Sequence, residues 1–160
     1  NNILTLFGIE GPSWLQSSKW AMTAIVLASV WKDMGYFGLM LMSGLQGINQ
    51  EYYDAAAIDG AGKIKQFTRI TLPLLTPTLF FVLIISLINS FQLFTQIMIM
   101  TPDGGPLGST MVMVERIYKC GFRYYEMGTA AAYSWILFAI LLLLTMVQMK
   151  LQNKWVNYDD

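Results

Sequence analysis

Long apolar stretches alternate with short polar segments along this chain. No charged residue occurs over residues 70–102 or 127–149, and residues 20–47 contain only the adjacent charges Lys32 and Asp33. A helix needs about 20 predominantly apolar residues to cross the hydrocarbon core of a bilayer. The pattern therefore predicts an all-α membrane protein with about three spans. The predicted spans are residues 19–47, 72–100 and 127–150.

Composition supports the assignment to the membrane class. Of 160 residues, 55% are hydrophobic and only 12% are charged, whereas soluble domains carry about 25% charged residues. The net charge of zero gives no indication of nucleic-acid binding. A single cysteine excludes an internal disulfide, and the absence of histidine removes the commonest metal ligand. The chain begins with Asn and shows no signal-peptide pattern, so we expect a piece that lacks its natural start.

Four polar segments flank the predicted spans. They are a lead-in at 1–18, a loop at 48–71, a second loop at 101–126 and a tail at 151–160. The second loop opens with the turn Pro102-Asp-Gly-Gly-Pro106 and is predicted to continue as a short amphipathic helix from Ser109. Lys and Arg divide almost evenly between the two sides of the predicted spans. Five lie on the side of the first loop and the tail, namely Lys63, Lys65, Arg69, Lys150 and Lys154, and four lie on the other side, namely Lys19, Arg116, Lys119 and Arg123. Charge therefore favours a cytoplasmic tail only slightly.

The loop at 48–71 has the local signals of two short helices. Asn49 is a suitable N-cap for a first helix over Tyr52–Ile58, which Asp59-Gly60 would end. A second, amphipathic helix is predicted from apolar residues at helical spacing, namely Ile64, Phe67 and Ile70. Thr76-Pro77 then reads as the N-cap and first-turn proline of the next span.

The spacing of residues in this loop carries a resemblance. Asp54-Ala-Ala56 is followed by three residues and Gly60, and then by nine residues and Ile70-Thr-Leu-Pro73. This order resembles the cytoplasmic loop of bacterial ATP-driven importer permeases, which reads Glu-Ala-Ala, three residues, Gly, nine residues, Ile, one residue, Leu-Pro. Two positions depart from that pattern: Asp54 replaces the usual Glu, and Asn49 stands where Pro is frequent.

Softer similarities extend over nearly the whole chain and resemble the sugar-permease branch of the maltose and glycerol-phosphate type. They include Gly44-Leu-Gln46, Ser90-Phe-Gln92, Gly104-Gly-Pro106 and Trp155-Val-Asn-Tyr158. The resemblance implies the C-terminal portion of a type I ABC importer transmembrane domain. Such permeases generally have about six spans, so roughly half of the membrane domain is expected to be absent.

The resemblance also implies a function and partners. The chain would form part of the solute pathway of a binding-protein-dependent importer that carries a carbohydrate, in a bacterial inner (plasma) membrane. Its partners would be an ABC ATP-binding subunit, a second permease subunit, an extracytoplasmic solute-binding protein and the lipid bilayer. Two alternatives remain open: import of another solute by the same family, and a membrane scaffold that moves no solute.

In the resembled family this loop forms coupling helices that dock into a cleft of the ATPase subunit. Segments 48–71 and 151–160 would then be cytoplasmic, and segments 1–18 and 101–126 extracytoplasmic. The residues carried over by position as contacts to the ATPase are Asp54, Ala55, Ala56, Asp59, Gly60 and Ala61. A rigid rod held in a cleft can transmit closure of the ATPase as a rigid-body movement.

A set of uncharged polar residues lies in the predicted second span. Ser86, Asn89, Gln92 and Gln96 recur every three to four residues, which would place them near one helix face. Neutral donors and acceptors suit the hydroxyls of a sugar, so the four are candidates for the solute pathway. Hydrogen bonding to neighbouring helices is the alternative, at about 0.6 kcal/mol each.

The charges of the first predicted span need another explanation. Because sequence neighbours project in different directions on a helix, we expect Lys32 and Asp33 not to neutralise each other. Each would instead face a partner helix, a wet cavity or a break at the interface.

Catalysis is not predicted for this chain. Gly60-Ala-Gly-Lys63 fails as a phosphate-binding loop, because Ile64 replaces the magnesium-binding Ser or Thr and Ala57 replaces the first glycine. The spans offer no nucleophile–base pair or metal-ligand set. We therefore expect no enzymatic activity, no cofactor and no metal, and ATP hydrolysis by a partner subunit.

Overall fold

Helices form all of the regular structure between residues 11 and 155. The computed structural model describes residues 5, 8 and 11–155, with the side chains of 153–155 excepted. The remainder of the predicted lead-in and the tail beyond residue 155 lie outside the described residues. In chain order the helices are α1 (Ala21–Gln46), α2 (Gln50–Ile58), α3 (Lys63–Leu74), α4 (Thr76–Phe91), α5 (Thr95–Met100), α6 (Met113–Tyr118) and α7 (Met127–Trp155).

Two helices in the described chain are long and apolar enough to cross a membrane by themselves. They are α1 and Met127–Gln152 within α7. Their bounds lie close to residues 19–47 and 127–150, for which a membrane crossing stays a prediction. A third crossing is possible only if α3 and α4 count together as one broken span, with a bend of 61° between them. The structure therefore contains two continuous spans and one interrupted candidate.

The bend between α3 and α4 has an identifiable chemical cause. Proline lacks an amide hydrogen, so Pro77 cannot donate to the carbonyl four residues earlier, at Pro73. The Thr76 hydroxyl donates to that carbonyl instead, with an O–O distance of 2.6 Å. Thr76 was predicted as an N-cap that would accept a hydrogen bond, but α4 begins at Thr76 and its hydroxyl serves as a donor across the bend.

The predicted span at 72–100 is interrupted a second time. Helix α4 ends at Phe91, non-helical backbone follows at Leu93 and Phe94, and α5 runs from Thr95 to Met100. The second loop, at 101–126, also differs locally from its prediction: its helix begins at Met113 instead of Ser109. Extended backbone at Val112 (φ −106°, ψ 166°) precedes that helix and prevents an earlier start.

Contacts group the chain into two compact units. One contains residues 1–33 and 89–141, and the other contains 34–88 and 142–160. In the first unit, the buried apolar side chains of the described residues are Ala21, Ile25, Ile97, Cys120 and Ala130. In the second, Leu75 is buried beside the polar Thr71.

Most large apolar side chains on α1 and α7 remain exposed. Trp31 is 79% exposed, and Leu39 and Trp135 are each 70% exposed. Exposure of so much apolar surface to water would be unfavourable in free energy. The hydrocarbon of a bilayer, or another apolar helix, is the environment that suits these faces.

Gly44 allows two helices of the second unit to approach closely. A Cβ atom built at Gly44 of α1 would lie 2.5 Å from the Thr78 Oγ1 atom and 2.9 Å from the Thr78 Cβ atom of α4. Both distances are shorter than the closest approach that a Cβ atom makes to another heavy atom in proteins. Small residues allow this kind of backbone approach between membrane helices.

We predict that Gly44→Ala destabilises the protein by about 1–3 kcal/mol, the usual effect of overpacking. Thermal unfolding of the detergent-solubilised protein measures the change. Gly38→Ala in the same helix is the matched control, because a Cβ there meets nothing within 4 Å and alanine favours helix over glycine. Equal thermal unfolding midpoints for Gly44→Ala and Gly38→Ala would contradict the close contact between Gly44 and Thr78.

Candidate functional site

The first helix of the loop at 48–71 is capped as predicted. Asn49 has extended backbone (φ −64°, ψ 134°), and its side-chain oxygen accepts a hydrogen bond from the Glu51 amide at 3.1 Å. Glu51 lies in the first turn of α2, where its charge suits the helix dipole. The prediction of an N-cap at Asn49 is confirmed, and α2 begins at Gln50.

The end of α2 is a Schellman turn centred on Gly60. The Ala61 amide donates to the Ala56 carbonyl at 2.9 Å, and the Gly60 amide donates to the Ala57 carbonyl at 3.0 Å. Gly60 has φ +72°, a conformation that glycine adopts without the steric cost of a Cβ. The predicted turn at Asp59-Gly60 is confirmed, and two hydrogen bonds fix its shape.

Two further hydrogen bonds attach this turn and α2 to the helix that follows. The Tyr53 and Thr71 hydroxyls share a hydrogen bond of 2.9 Å, and Thr71 is buried. The Gln66 side-chain amide donates to the Ala61 carbonyl at 3.1 Å. Sequence reasoning missed both pairings. The sequence places Tyr53 on the same face of α2 as the small residue Ala56, and this placement could have suggested that Tyr53 packs inward.

The six predicted contact residues divide into two groups. Asp54, Ala55, Asp59 and Gly60 are exposed, whereas Ala56 and Ala61 are half-buried. Ala56 lies three residues after Tyr53 and so shares its inward face. Asp54 also accepts a hydrogen bond of 3.3 Å from the Gln50 side-chain amide. Asp54 and Ala55 therefore lie on the outward surface of α2, whereas Ala56 lies on its inward face.

Exposed apolar side chains accompany this outward surface. Ile58, at the end of α2, is 88% exposed, and Ile64, at the start of α3, is 84% exposed. Phe67 is also exposed, at the first residue of a π-helical turn over Phe67–Thr71. The apolar side predicted for the second helix is therefore left mostly uncovered. Ile58 was not predicted as a site residue, although its position beside Asp59-Gly60 could have suggested it.

The four candidate pathway residues are not carried by one helix. Ser86 and Asn89 belong to α4, Gln92 lies in the break after Phe91, and Gln96 belongs to α5. The prediction of one continuous helical face is therefore wrong, because the helix ends before Gln92. The Ser86 hydroxyl donates to the Leu83 carbonyl at 3.0 Å, and Asn89 and Gln92 are exposed. Their role in a solute pathway stays a prediction.

The charge pair in α1 contradicts its sequence-based interpretation. The Lys32 ammonium lies 3.1 Å from a carboxylate oxygen of Asp33, so the two side chains do neutralise each other. The flexible four-carbon stem of lysine lets its ammonium reach an adjacent residue despite their different directions on the helix.

Metal-ligating residues do not cluster in the described part of the chain: no three His, Cys, Asp or Glu side chains lie close enough together to hold an ion. The expectations of no catalytic residue, no metal and no cofactor stay predictions.

The chain is similar in sequence to three curated proteins. The chain is 35% identical to the probable ABC transporter permease protein YesP of Bacillus subtilis, covering 100% of this chain and 52% of that protein. It is 37% identical to the sulfoquinovosyl glycerol transport system permease protein SmoG of Agrobacterium fabrum, covering 94% and 49%. It is 36% identical to the sn-glycerol-3-phosphate transport system permease protein UgpA of Pectobacterium atrosepticum, covering 98% and 54%.

The fold has a close structural counterpart. A chain in the crystal structure of a bacterial alginate ABC transporter, in complex with an alginate pentasaccharide-bound periplasmic protein, matches with a TM-score of 0.84 and 23% identity. The match covers 96% of this chain and 54% of that one. The predicted fold class, a fragment of an ABC importer transmembrane domain, is confirmed.

The chain spans about half the length of the curated relatives it matches. The family described as the inner membrane component of binding-protein-dependent transport systems matches residues 2–158. The resemblance inferred from the loop is therefore confirmed, and the chain belongs to this family of inner membrane components.

Proposed function

We propose that this chain is part of the permease subunit of an ATP-driven, binding-protein-dependent importer for a carbohydrate. Its partners would be an ABC ATP-binding subunit, a second permease subunit and an extracytoplasmic solute-binding protein. Family membership supports the transporter class, and the relatives named for sulfoquinovosyl glycerol and glycerol phosphate support the solute class. The protein would be a multi-pass component of a bacterial inner membrane.

One observation carries the proposal: α2 is a short rod with both ends fixed and an outward face left free. Asn49 caps its start, the turn at Gly60 fixes its end, and Tyr53 ties it to Thr71. Its outward face combines Asp54 and small or apolar side chains. A cleft in an ATPase subunit could hold such a rod without displacing bulky groups.

The same attachments supply a mechanical path. A displacement of α2 would reach Thr71 through the Tyr53 hydroxyl. Thr71 belongs to α3, which leads to the bend between α3 and α4. Closure of the ATPase would therefore move α2 and α3 together as one body, which is the general form of hinge-driven switching. Segments 48–71 and 151–160 would face the cytoplasm, and segment 101–126 would face outside.

We predict that cysteines at Ala55 and Ile58 form thiol crosslinks with the ATP-binding subunit in intact membranes. Cys120 is buried, and Cys120→Ala removes it as a background thiol. Arg116→Cys is the matched control, because Arg116 is exposed and lies in the segment predicted to face outside. Adducts of the size of permease plus ATPase on gels are the measurement. No adduct from either loop position, or equal adduct from Arg116→Cys, would remove the support for docking at α2.

We predict that Tyr53→Phe lowers the amount of solute imported per ATP hydrolysed by about 2–10-fold, the range expected for loss of a hydrogen bond worth about 0.5–1.5 kcal/mol. Parallel uptake and ATPase assays in reconstituted vesicles measure the ratio. Tyr52→Phe is the control, since the neighbouring Tyr52 is exposed. Loss of uptake and ATPase activity in proportion would argue against a role for Tyr53 in coupling.

We predict that replacing Asn89 and Gln92 together with leucine reduces uptake at least about tenfold, since buried polar groups of the solute would lose partners worth about 1–3 kcal/mol. Asn89→Gln with Gln92→Asn keeps both amides and is expected to retain uptake with an altered solute range. Competition by a panel of sugars reads out that range. Unchanged uptake and unchanged competition in the leucine variant would exclude the two residues from the pathway.

Solute-stimulated ATP hydrolysis separates the importer from a scaffold that moves no solute. The assembled complex should hydrolyse ATP faster when the loaded binding protein is added. A complex that assembles but shows no stimulation by any solute would favour the scaffold.

A further inference from the structure

A pocket of about 370 Å³ lies in the first compact unit and is lined mainly by residues of the second loop, at 101–126. It is bounded by the turn at Pro102 and Asp103 and by the helix that begins at Met113. Its volume falls within the 300–1,000 Å³ range of small-molecule sites. None of the predicted site residues lies in it.

The wall of this pocket contains a buried carboxylate that is only half satisfied. Glu115 is almost fully buried, and its Oε1 atom lies 3.0 Å from the Lys119 ammonium. No donor among the described residues reaches its buried Oε2 atom. A buried acceptor without a partner costs about 1–3 kcal/mol, and more when charged. A ligand hydroxyl that donates to Oε2 would remove this penalty.

The four charged side chains that line the pocket, Glu115 included, balance one another. Lys119 lies 3.8 Å from a carboxylate oxygen of Asp103, which also pairs with Arg123 at the exposed mouth. The hydrogen bond that the Arg123 guanidinium donates to Asp103 raises the pKa of Arg123 above its ordinary value, and an arginine side chain is cationic in any case. Two cations and two anions leave no net charge. A charged ligand would therefore have to disrupt an existing ion pair, whereas a neutral one would not.

Aromatic side chains form the apolar part of the lining. The Phe94 and Tyr118 rings are 5.1 Å apart between centroids, and the Tyr118 and Phe122 rings are stacked at 5.4 Å. Phe122 is largely exposed. Aromatic faces carry negative potential and attract the partly positive C–H groups of a saturated ring. A sugar presents both these C–H groups and the hydroxyl donors that Glu115 lacks.

Tight packing of the backbone fixes the turn at 102–106, which carries Asp103. The Thr101 and Thr110 hydroxyls share a buried hydrogen bond of 2.9 Å, and the Thr110 amide donates to the Gly104 carbonyl at 2.9 Å. A Cβ at Gly105 would lie 2.6 Å from Thr110 Oγ1, so this turn requires glycine there. Asp103 is thus presented to Lys119 and Arg123 from a fixed backbone.

We propose that this pocket binds a neutral polyhydroxylated ligand of monosaccharide size. One hydroxyl would donate to Glu115 Oε2, other ligand oxygens would accept from Arg123 or Lys119, and a C–H face would lie against Phe122. The choice of ligand class rests in part on the proposed carbohydrate import, for which this pocket would be an additional subsite at the outer segment. The pocket chemistry itself is independent of coupling to an ATPase.

The test is ligand-observed NMR on the full-length permease complex in detergent, with D-glucose and D-galactose as neutral probes and glucose 6-phosphate as the anionic probe. The neutral probes should show saturation transfer. Phe122→Ala should weaken their binding by about 2–10-fold, the range for an aromatic contact worth about 0.5–1.5 kcal/mol. Glu115→Gln should weaken it about tenfold or more, because the acceptor loses its charge.

Tyr124→Ala is the matched control, since Tyr124 is exposed and near in sequence but does not line the pocket; its binding should equal that of the parent. Thermal unfolding checks that Glu115→Gln remains folded, and Phe122→Ala changes an exposed residue and carries the test if it does not. Absence of neutral-probe binding, preference for the anionic probe, or binding insensitive to Phe122→Ala would each overturn the proposal.

Uptake and ATPase assays on the same complex keep the two proposals apart. Solute-stimulated ATP hydrolysis without probe binding at this pocket would overturn the pocket and leave the importer standing. Probe binding sensitive to Phe122→Ala, in a complex that never couples to ATP, would support the pocket and overturn the importer.

Discussion

The whole structure depends on satisfying backbone carbonyls wherever an apolar helix is interrupted. Water is absent from the hydrocarbon of a bilayer, so an unpaired carbonyl there costs several kcal/mol. At the bend before α4, the Thr76 hydroxyl replaces the amide hydrogen that Pro77 lacks. At the end of α5, the Thr101 amide and hydroxyl both donate to the Ile97 carbonyl, at 2.9 Å and 3.2 Å. At the bend before α4, by contrast, a hydroxyl side chain takes the place of a missing backbone donor.

The same principle gives the loop at 48–71 its rigidity. Gln66 satisfies the Ala61 carbonyl just after the turn, and the hydrogen bonds around Gly60 satisfy the last carbonyls of α2. A loop with its polar groups paired in this way has few alternative conformations. Such a loop can transmit force, whereas a loop bonded mainly to water would absorb it. Rigidity and exposure together make α2 suitable as a docking element.

What could be predicted from the sequence depended on the range of the interaction. The Asn49 cap and the Gly60 turn involve residues within one turn of helix, so local patterns predicted them correctly, and uniform hydropathy predicted α1 and α7. The Tyr53–Thr71 pair spans 18 positions and leaves no periodic trace. The break after Phe91 contains no proline or glycine, so hydropathy alone predicted one span there. The Lys32–Asp33 pair was missed because backbone direction was considered without side-chain length.

The chemistry of both regions proposed to meet solute points to the same class of molecule. Asn89 and Gln92 offer amide donors and acceptors without charge, at a place where the helix is interrupted. The pocket beside Glu115 contains charges, but Lys119 forms an ion pair with Glu115 and Arg123 forms one with Asp103. Neither cation is therefore free for an anionic group. Holding an anion at either place would require a cation that is not already paired. Neutral hydroxyls need only donors and acceptors, and both regions supply these.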